Sequence, residues 1–262
     1  MSRRRAHPFR AALRADGRML RRHGIVLLYV FLALLYAAAL RFLAPDEQRP
    51  LFTALLLLTD PATLSLFFMG AVVLYEKNQH IHAALYTCGL RPGTWLASKC
   101  LTFSLLGALA GGFVLWFSDP AVLRADAGAE LFATVGAGNL TAMFVTLACM
   151  LLGGVFFTCL SVPPAAGVRT LNGFILAVAG IEILFLLPAV AELFRSLPSF
   201  AGYHPAVLLA RALRQPEQVP GWLRQTETLW QCAAFLGWLC LGWLLALGSA
   251  RRLLTGKGGG AR

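Results

Sequence analysis

Three acidic residues of this sequence stand among apolar neighbours, where a charge needs either a partner or a function. Asp60 and Glu182 each lie inside a long hydrophobic run, and Asp16 interrupts the apolar side of an arginine-rich segment. Acidic side chains inside a bilayer are costly, and they line transport paths or bond to neighbouring helices. Asp60 and Glu182 are therefore candidate residues of a substrate path, and a structural role for Glu182 is an equal alternative.

Familiar catalytic and nucleotide-binding motifs are missing from the sequence. It has no G-x-x-x-x-G-K-[ST] for binding ATP phosphates, and neither the H-E-x-x-H nor the G-x-S-x-G signature of hydrolases. His80 and His82 are two residues apart, which places them on different faces of a helix and argues against a shared metal ion. We predict no catalytic residue, no metal site and no enzyme activity in this chain.

The cysteines are predicted to be small buried hydrophobic residues rather than disulfides or metal ligands. They show no C-x-x-C spacing, and all except Cys88 lie in or beside apolar runs. The six are Cys88, Cys100, Cys149, Cys159, Cys232 and Cys240.

Composition indicates a protein embedded in a membrane. Of the 262 residues, 58% are hydrophobic and 13% are charged, whereas about a quarter of the residues in soluble domains are charged. About 20 apolar residues in a helix cross a bilayer, and the sequence contains six such runs. We predict an all-α polytopic membrane protein with six spans, in which the loops are too short for a separate soluble domain.

The six spans and their flanks define one predicted membrane domain over residues 1–262. Asp60-Pro61 leaves open whether the second span is one kinked helix or two helices, and Pro163-Pro164 is expected to end the fourth span. The parts are a basic helix at 1–23, a bundle at 24–250 and a tail at 251–262. The spans are predicted at 25–43, 51–75, 100–117, 132–160, 170–191 and 229–250.

Residues 8–22 have the pattern of a helix that lies in the membrane interface. Arginines fall on one side at helical spacing, and apolar residues fall on the other. Asp16 falls within the apolar side, and it could pair with an arginine of a neighbouring element. A solvated basic tail is the alternative interpretation. The arginines of the basic side are Arg10, Arg14, Arg18 and Arg21.

The positions of the basic residues predict the orientation and argue against nucleic acid as the partner. The net charge is +11, but sixteen of the 23 Lys and Arg residues lie in segments that share a side with the N-terminus. Such clusters beside apolar spans set topology and contact anionic lipids. We predict a cell membrane protein (inner or plasma membrane) with both termini in the cytoplasm, and lipids rather than nucleic acid as partners.

A small-residue motif in the third span predicts close helix packing. Gly107 and Gly111 form a G-x-x-x-G pattern, which lets two helices approach each other. Packing within the chain and contact with a second copy are equally compatible with it.

The most informative polar segment connects the second and third spans over residues 76–99. It is predicted to form a helix to about Thr87, followed by a turn at Gly89, Pro92 and Gly93. A polar helix held between two spans suits docking of a cytoplasmic partner, because a push on it moves both spans. A solvated connector without a partner is the alternative.

Residues in and around this segment are similar to those of a known family. The chain resembles the permease subunits of type-2 ABC exporters, the drug- and polysaccharide-exporting class, and most of all permeases of the fluoroquinolone-export type. The six-span layout covers nearly the whole chain, and the residue-level similarity is concentrated ahead of Cys100. The similar residues are Asp16, Arg22, His23, Gly24, Asp60, Pro61, Phe67, Phe68, Met69, Gly70, Glu76, Lys77, Gln79, Ala84, Leu85, Leu90, Arg91, Ser98 and Lys99.

The resemblance implies a division of labour between two kinds of subunit. Two permeases, identical or different, would pair, and each would bind a separate ATP-binding subunit that holds ATP and Mg²⁺, so this chain would bind no cofactor. ATP-driven closure would open an outward path for a small amphiphilic or drug-like substrate. The loop at 192–227 would supply short outer or re-entrant helices. The implied ATPase-coupling residues are Asp16, Glu76, Lys77, Gln79, Ala84, Leu85, Leu90, Arg91 and Lys99.

Other functions stay open on the sequence alone. A transporter or channel that works without an ATPase would need charges within the membrane, and Glu182 favours it. A non-transporting scaffold fits an apolar bundle equally well. A membrane enzyme would need acids, histidines or serines that converge within the bilayer, and the sequence has no such cluster.

Overall fold

A computed structural model of the chain describes residues 8–45, 47–118 and 137–255. All regular secondary structure in these ranges is helical, and six of the helices there are long and apolar enough to cross a membrane. The prediction of an all-α, multi-pass membrane protein is confirmed at that level. The arginines ahead of Pro8, the loop at 119–136 and the glycine-rich tail from Gly256 lie outside the described residues.

The described helices comprise six candidate spans and several shorter elements. The first helix is α1 (Pro8–Arg22), followed by α2 (Ile25–Phe42), α3 (Arg49–Asn78), α4 (Ile81–Thr87), α5 (Pro92–Ser118), α6 (Ala137–Gly167), α7 (Leu171–Phe194), α8 (Pro205–Arg214), α9 (Val219–Trp222) and α10 (Thr226–Thr255). Helices α2, α3, α5, α6, α7 and α10 are the candidate spans. Two 3₁₀ turns flank α8, at Ser199–Tyr203 and Pro216–Gln218.

Helix α3 resolves the alternative left open at Asp60-Pro61, because it is one unbroken helix. A proline inside a helix removes a backbone donor and crowds the preceding turn. The hydroxyl of Thr59 donates to the carbonyl oxygens of Leu55 and Leu56 at 2.9 and 3.4 Å. These hydroxyl bonds lie in the turn before Pro61, and such back-bonding by threonine tends to bend a helix.

The prediction that Pro163-Pro164 ends the fourth span is wrong, because α6 continues to Gly167. Proline disturbs the turn before it but keeps a helical φ, so a short continuation after it is permitted. In the preceding turn, the Ser161 hydroxyl donates to the Thr158 carbonyl at 2.7 Å. In the following turn, the Val168 N–H donates to the carbonyl of Pro164 at 3.0 Å.

The connector at 76–99 differs from the single helix and turn that the sequence predicts. Glu76 and Lys77 belong to the last turn of α3, and His80 then separates α3 from α4 with a φ of 55°. The predicted turn is present at Gly89, whose φ of 75° suits glycine. Helix α5 starts before the predicted span does, so Lys99 lies about two turns inside α5 rather than at its entrance.

Glycines allow close contact between the helices at the centre of the bundle. A Cβ on Gly154 of α6 would lie 2.9 Å from the Cα atom of Ser104 in α5. A Cβ on Gly111, the second glycine of the G-x-x-x-G motif, would overlap the side chain of Met150 in α6. At Gly111 the motif therefore packs within the chain.

Three candidate spans keep much of their apolar surface exposed. Leu27 of α2 and Leu176 of α7 are 73% and 77% exposed, and Leu244 of α10 is 63% exposed. In water such surfaces would be unfavourable, whereas lipid chains solvate them without cost. The buried side chains, such as Phe103, Phe156 and Phe174, lie where the helices face one another.

Helix α8 lies within the segment 192–227 and packs against the spans. One side of it is buried, and two of its leucines, Leu209 and Leu213, line a small apolar cavity with residues of α3 and α6. The resemblance implies short helices in this segment, and the structure contains α8, α9 and the two 3₁₀ turns there.

Candidate functional site

A buried lysine is the centre of a charged cluster at one end of the bundle. Lys99 of α5 is 1% exposed, and its Nζ lies 2.6 Å from Oε1 of Glu76 and 3.0 Å from Oδ1 of Asp16. Glu76 comes from the end of α3 and Asp16 from α1, and both are buried. One ammonium group thus joins three helices through charge-assisted hydrogen bonds.

Helix α4 joins the same cluster through His82. Its Nε2 lies 3.4 Å from Oε2 of Glu76, within ion-pair distance but without hydrogen-bond geometry, and the pair is ionic only when the imidazole is protonated. The His82 ring meets the edge of the Trp95 ring at a centroid distance of 5.4 Å. Lys99 Nζ lies 5.4 Å from the centre of the same indole, so Trp95 packs beside both the lysine and the histidine.

The second carboxylate oxygen of Asp16 is also bonded. Oδ2 accepts a hydrogen bond from the hydroxyl of Ser98, the residue before Lys99. Asp16 therefore receives two donors from consecutive residues of α5, which hold α1 against that helix. The sequence analysis considered an arginine as the partner of Asp16, whereas its partners in the structure are Lys99 and Ser98.

Together these side chains form one unit, which we call the charge cluster: Asp16, Glu76, His82, Trp95, Ser98 and Lys99. The cluster ties four helices together at one end of the bundle. Buried ion pairs do little for net stability, but they fix geometry, and removal of one member is costly. The arrangement suits the rigid transmission of movement between helices rather than bond-breaking chemistry.

A second lysine extends the connection to the corner between α6 and α7. Lys77 Nζ donates to the carbonyl oxygens of Ala166 and Val168, both at 2.7 Å. These carbonyls lie at the end of α6, where backbone acceptors have no partner within the helix. The end of α3 is thus bound to α1 and α5 through Glu76, and to the α6–α7 corner through Lys77.

The predicted ATPase-coupling residues divide into three groups by burial. Asp16, Glu76 and Lys99 are buried in the charge cluster, so within this chain they have no surface for direct contact with a partner. Gln79, Ala84 and Arg91 are exposed around α4. Lys77, Leu85 and Leu90 are partly buried: the lysine binds the α6–α7 corner, and the two leucines pack against the hydrophobic core.

No family model, no curated protein and no solved structure matches this chain. The resemblance to ABC exporter permeases therefore stays a prediction from the sequence. In the part of the chain that the structure describes, no group of three or more His, Cys, Asp or Glu residues is placed to hold a metal ion.

The two predicted intramembrane acids lie in different surroundings. Asp60 is 8% exposed in α3, and no described group is hydrogen-bonded to its Oδ1. It interacts electrostatically with Tyr29 of α2, whose buried hydroxyl has no hydrogen-bond partner among the described residues either. Glu182 is only partly buried on α7.

An ion pair outside the charge cluster stabilises the opposite end of the bundle, and no sequence pattern predicts it. Arg211 of α8 contacts Glu192 of α7, with Nε 3.0 Å from Oε1. Its Nη2 also donates to the carbonyls of Leu197 and Pro198, at 3.1 and 3.0 Å. The arginine therefore fixes α8 to the end of α7. Nearby, burial lowers the pKa of His204, which precedes α8.

Three members of the charge cluster had no predicted role in it: His82, Trp95 and Ser98. The sequence signal for two of them was Pro92, because proline is favoured at the first position of a helix. A helix that begins there places Ser98 and Lys99 three and four residues after Trp95, on the same face. No local pattern indicates His82, because its position depends on the break at His80.

Proposed function

We propose that this chain is the membrane-spanning permease subunit of an ABC exporter, moving a small amphiphilic or drug-like substrate out of the cytoplasm. A separate subunit would bind and hydrolyse ATP. The observation that carries this proposal is the charge cluster, which ties α1, α3, α4 and α5 together behind an exposed polar surface. The resemblance of residues 76–99 to the coupling region of such permeases supports it.

The contact surface for the ATPase is the outer side of α4 and its flanks, which we call the docking surface. It contains Gln79, Ala84 and Arg91, all exposed. The buried residues Asp16, Glu76 and Lys99 support this surface from behind rather than contact the partner themselves. Asp16, Glu76 and Lys99 are therefore proposed to position the docking surface and not to bind the ATPase directly.

Movement would pass from the docking surface to the spans through the charge cluster. A push on α4 acts on Glu76 through His82, and thereby on the end of α3. Lys99 connects the same carboxylate to α5, so α3 and α5 move together. Bistable packing of such rigid elements converts small displacements into opening of a path. Asp60 and Glu182 are the candidate residues along that path.

The docking surface would face the cytoplasm in this arrangement. The end of the bundle that carries it also carries the arginines of α1 and the basic end of α10, including Arg251 and Arg252. Concentration of basic residues on one side is typical of cytoplasmic faces. The expected location is the cell membrane, with both termini inside and a second permease, identical or different, beside this one.

The native residue Cys88 gives a direct test of this orientation. Cys88 is exposed just after α4, whereas Cys240 and Cys232 lie in α10 and would be replaced by alanine. A membrane-impermeant maleimide should label Cys88 in inverted vesicles but not in intact cells. Ser199→Cys, made in the same background with Cys88→Ala, should show the opposite pattern. Labelling of Cys88 in intact cells contradicts the exporter proposal.

Two surface substitutions test the docking assignment without disturbing the charge cluster. Ala84→Glu combined with Arg91→Glu places negative charge on the docking surface, and both positions are exposed. Loss of contacts at the centre of an interface costs 2 kcal/mol or more, so ATPase activity recovered with the purified chain should fall at least about tenfold. The measurement is vanadate-sensitive ATP hydrolysis of the complex purified from native membranes.

The matched control changes two arginines at the same end of the bundle. Arg251→Glu with Arg252→Glu reverses exposed charges at the end of α10, outside the residues that define the docking surface, and should alter ATPase recovery less than twofold. Unchanged recovery in the docking variant, with normal insertion, would refute the assignment.

Transport without an ATPase is the second candidate, and the surroundings of Asp60 favour it. A buried carboxylate with an unbonded oxygen could take a proton or a cationic substrate group. In that case Asp60→Asn would abolish export, whereas the variant with Ala84→Glu and Arg91→Glu would export normally.

A further inference from the structure

An open basic groove lies between α1 and the end of α3, outside the charge cluster. Its volume is ≈ 530 Å³, within the range of small-ligand sites. Two arginines of α1, Arg18 and Arg22, line it together with His23 and Tyr75. Ala15 and Met19 complete its wall. We propose that this groove binds the phosphate headgroup of an anionic membrane phospholipid.

The charge of the groove favours an anion. Among the described residues, its lining contains two guanidinium groups and an imidazole but no carboxylate. The neighbouring acids in the sequence, Asp16 and Glu76, point into the charge cluster, where Lys99 binds both. The positive charge of the groove is therefore not neutralised by the acids beside it. Paired guanidinium groups bind phosphate through bidentate hydrogen bonds.

The geometry of the lining positions these donors. His23 packs edge-on against the Tyr75 ring at a centroid distance of 5.6 Å, which joins the end of α1 to α3. Arg18 Nε donates to the Arg14 carbonyl at 3.4 Å, which holds the guanidinium along α1. Gly24, with a φ of 73°, turns the chain sharply from α1 into α2.

Position favours a lipid over a soluble phosphate compound. The groove lies where α1 ends and the first candidate span begins, and the exposed apolar surface of α2 starts at Leu27. Leu27 follows His23 by four positions, across the turn at Gly24, so their Cα atoms are at most about 14 Å apart. A headgroup in the groove therefore has apolar surface within reach of its acyl chains. Met19 and the Tyr75 ring give the groove itself the mixed character of a membrane interface.

The bound lipid would connect α1 to α3 on the side away from the charge cluster. A ligand that bridges two elements of the folded state stabilises their contact by mass action. Anionic lipids of the membrane would thus hold α1 docked, independently of any ATPase partner.

The test compares the retention of phosphatidylglycerol and of phosphatidylcholine by the full-length chain. The chain is purified from an equimolar mixture of the two lipids and analysed by native mass spectrometry, with affinities taken from thermal shifts upon lipid addition. The probes are phosphatidylglycerol, phosphatidylcholine, glycerol 3-phosphate and inorganic phosphate. We expect selective retention of phosphatidylglycerol and no comparable effect of the two soluble phosphates.

Two variants with the same change in charge make the test specific to the groove. Arg18→Gln with Arg22→Gln removes both guanidinium groups from the lining and should weaken phosphatidylglycerol binding at least about tenfold, given the strength of charge-assisted bonds. Arg10→Gln with Arg14→Gln makes the same change on exposed positions of α1 outside the groove, and should weaken it less than twofold. Equal losses in the two variants would show diffuse attraction and overturn the proposal. Equal binding of glycerol 3-phosphate would overturn the assignment to a lipid.

Discussion

Lys99→Met should lower the free energy of unfolding by about 3–5 kcal/mol, the cost of leaving buried charges without their partner. Methionine fills most of the volume of the lysine, so the loss comes from charge and not from a cavity. The carboxylates of Asp16 and Glu76 then share a buried site without the ammonium group that lies 3.0 and 2.6 Å from them. The measurement is thermal unfolding of the detergent-solubilised protein, followed by size-exclusion chromatography of heated samples.

A triple variant separates charge from packing in this experiment. Asp16→Asn, Glu76→Gln and Lys99→Met together remove all three charges, and should recover at least half of the stability that Lys99→Met loses. Lys77→Met is the matched single control, because this lysine binds only carbonyl oxygens near the surface. Its cost should be about 1–3 kcal/mol, smaller than that at Lys99. If Lys99→Met unfolded at the wild-type temperature, the charge cluster would have no structural role.

Gly154→Ala should cost about 1–3 kcal/mol, because a single added carbon forces two helices apart. The new Cβ would lie 2.9 Å from the Cα atom of Ser104, and backbone atoms cannot move aside as a flexible side chain can. Helices α5 and α6 would have to separate along their contact. The same melting experiment measures the effect, with a lower unfolding temperature as the expected result.

Gly180→Ala provides the control for this substitution. Gly180 lies inside α7, and a Cβ there would meet no atom within 4 Å. The same chemical change should therefore be neutral or slightly stabilising, since alanine is the better helix former. Equal effects at Gly154 and Gly180 would mean that the α5–α6 contact is looser than the structure shows.

Much of the fold could be predicted because a bilayer imposes long apolar runs. The fifth span, for example, was predicted at 170–191, and α7 occupies Leu171–Phe194 with Thr170 as its N-cap. The Thr170 hydroxyl accepts a hydrogen bond from the Gly173 N–H at 3.3 Å, a local signal that sequence carries well. The proline pair in α6 does not end the helix as predicted, because proline after the first turn weakens a helix without always ending it.

The charge cluster was only partly predictable, since it depends on contacts between distant segments. Asp16, Glu76 and Lys99 were all singled out as ATPase-coupling residues, but not as one buried group. Burial of Lys99 follows from the early start of α5 at Pro92, and the position of His82 follows from the turn at His80. No spacing pattern in the local sequence predicts that Asp16 pairs with Lys99 or that Arg211 pairs with Glu192.

The hydrogen bond between Asp16 and Lys99 spans 83 positions of the chain, which has a consequence for biosynthesis. At about 5–20 residues per second, a ribosome needs about 4 to 17 s to synthesise the intervening segment. During that interval the aspartate has emerged while its lysine does not yet exist. Helix α1 therefore cannot take its final place until the start of α5 has been synthesised, and the nascent protein carries α1 undocked while α2 and α3 are synthesised.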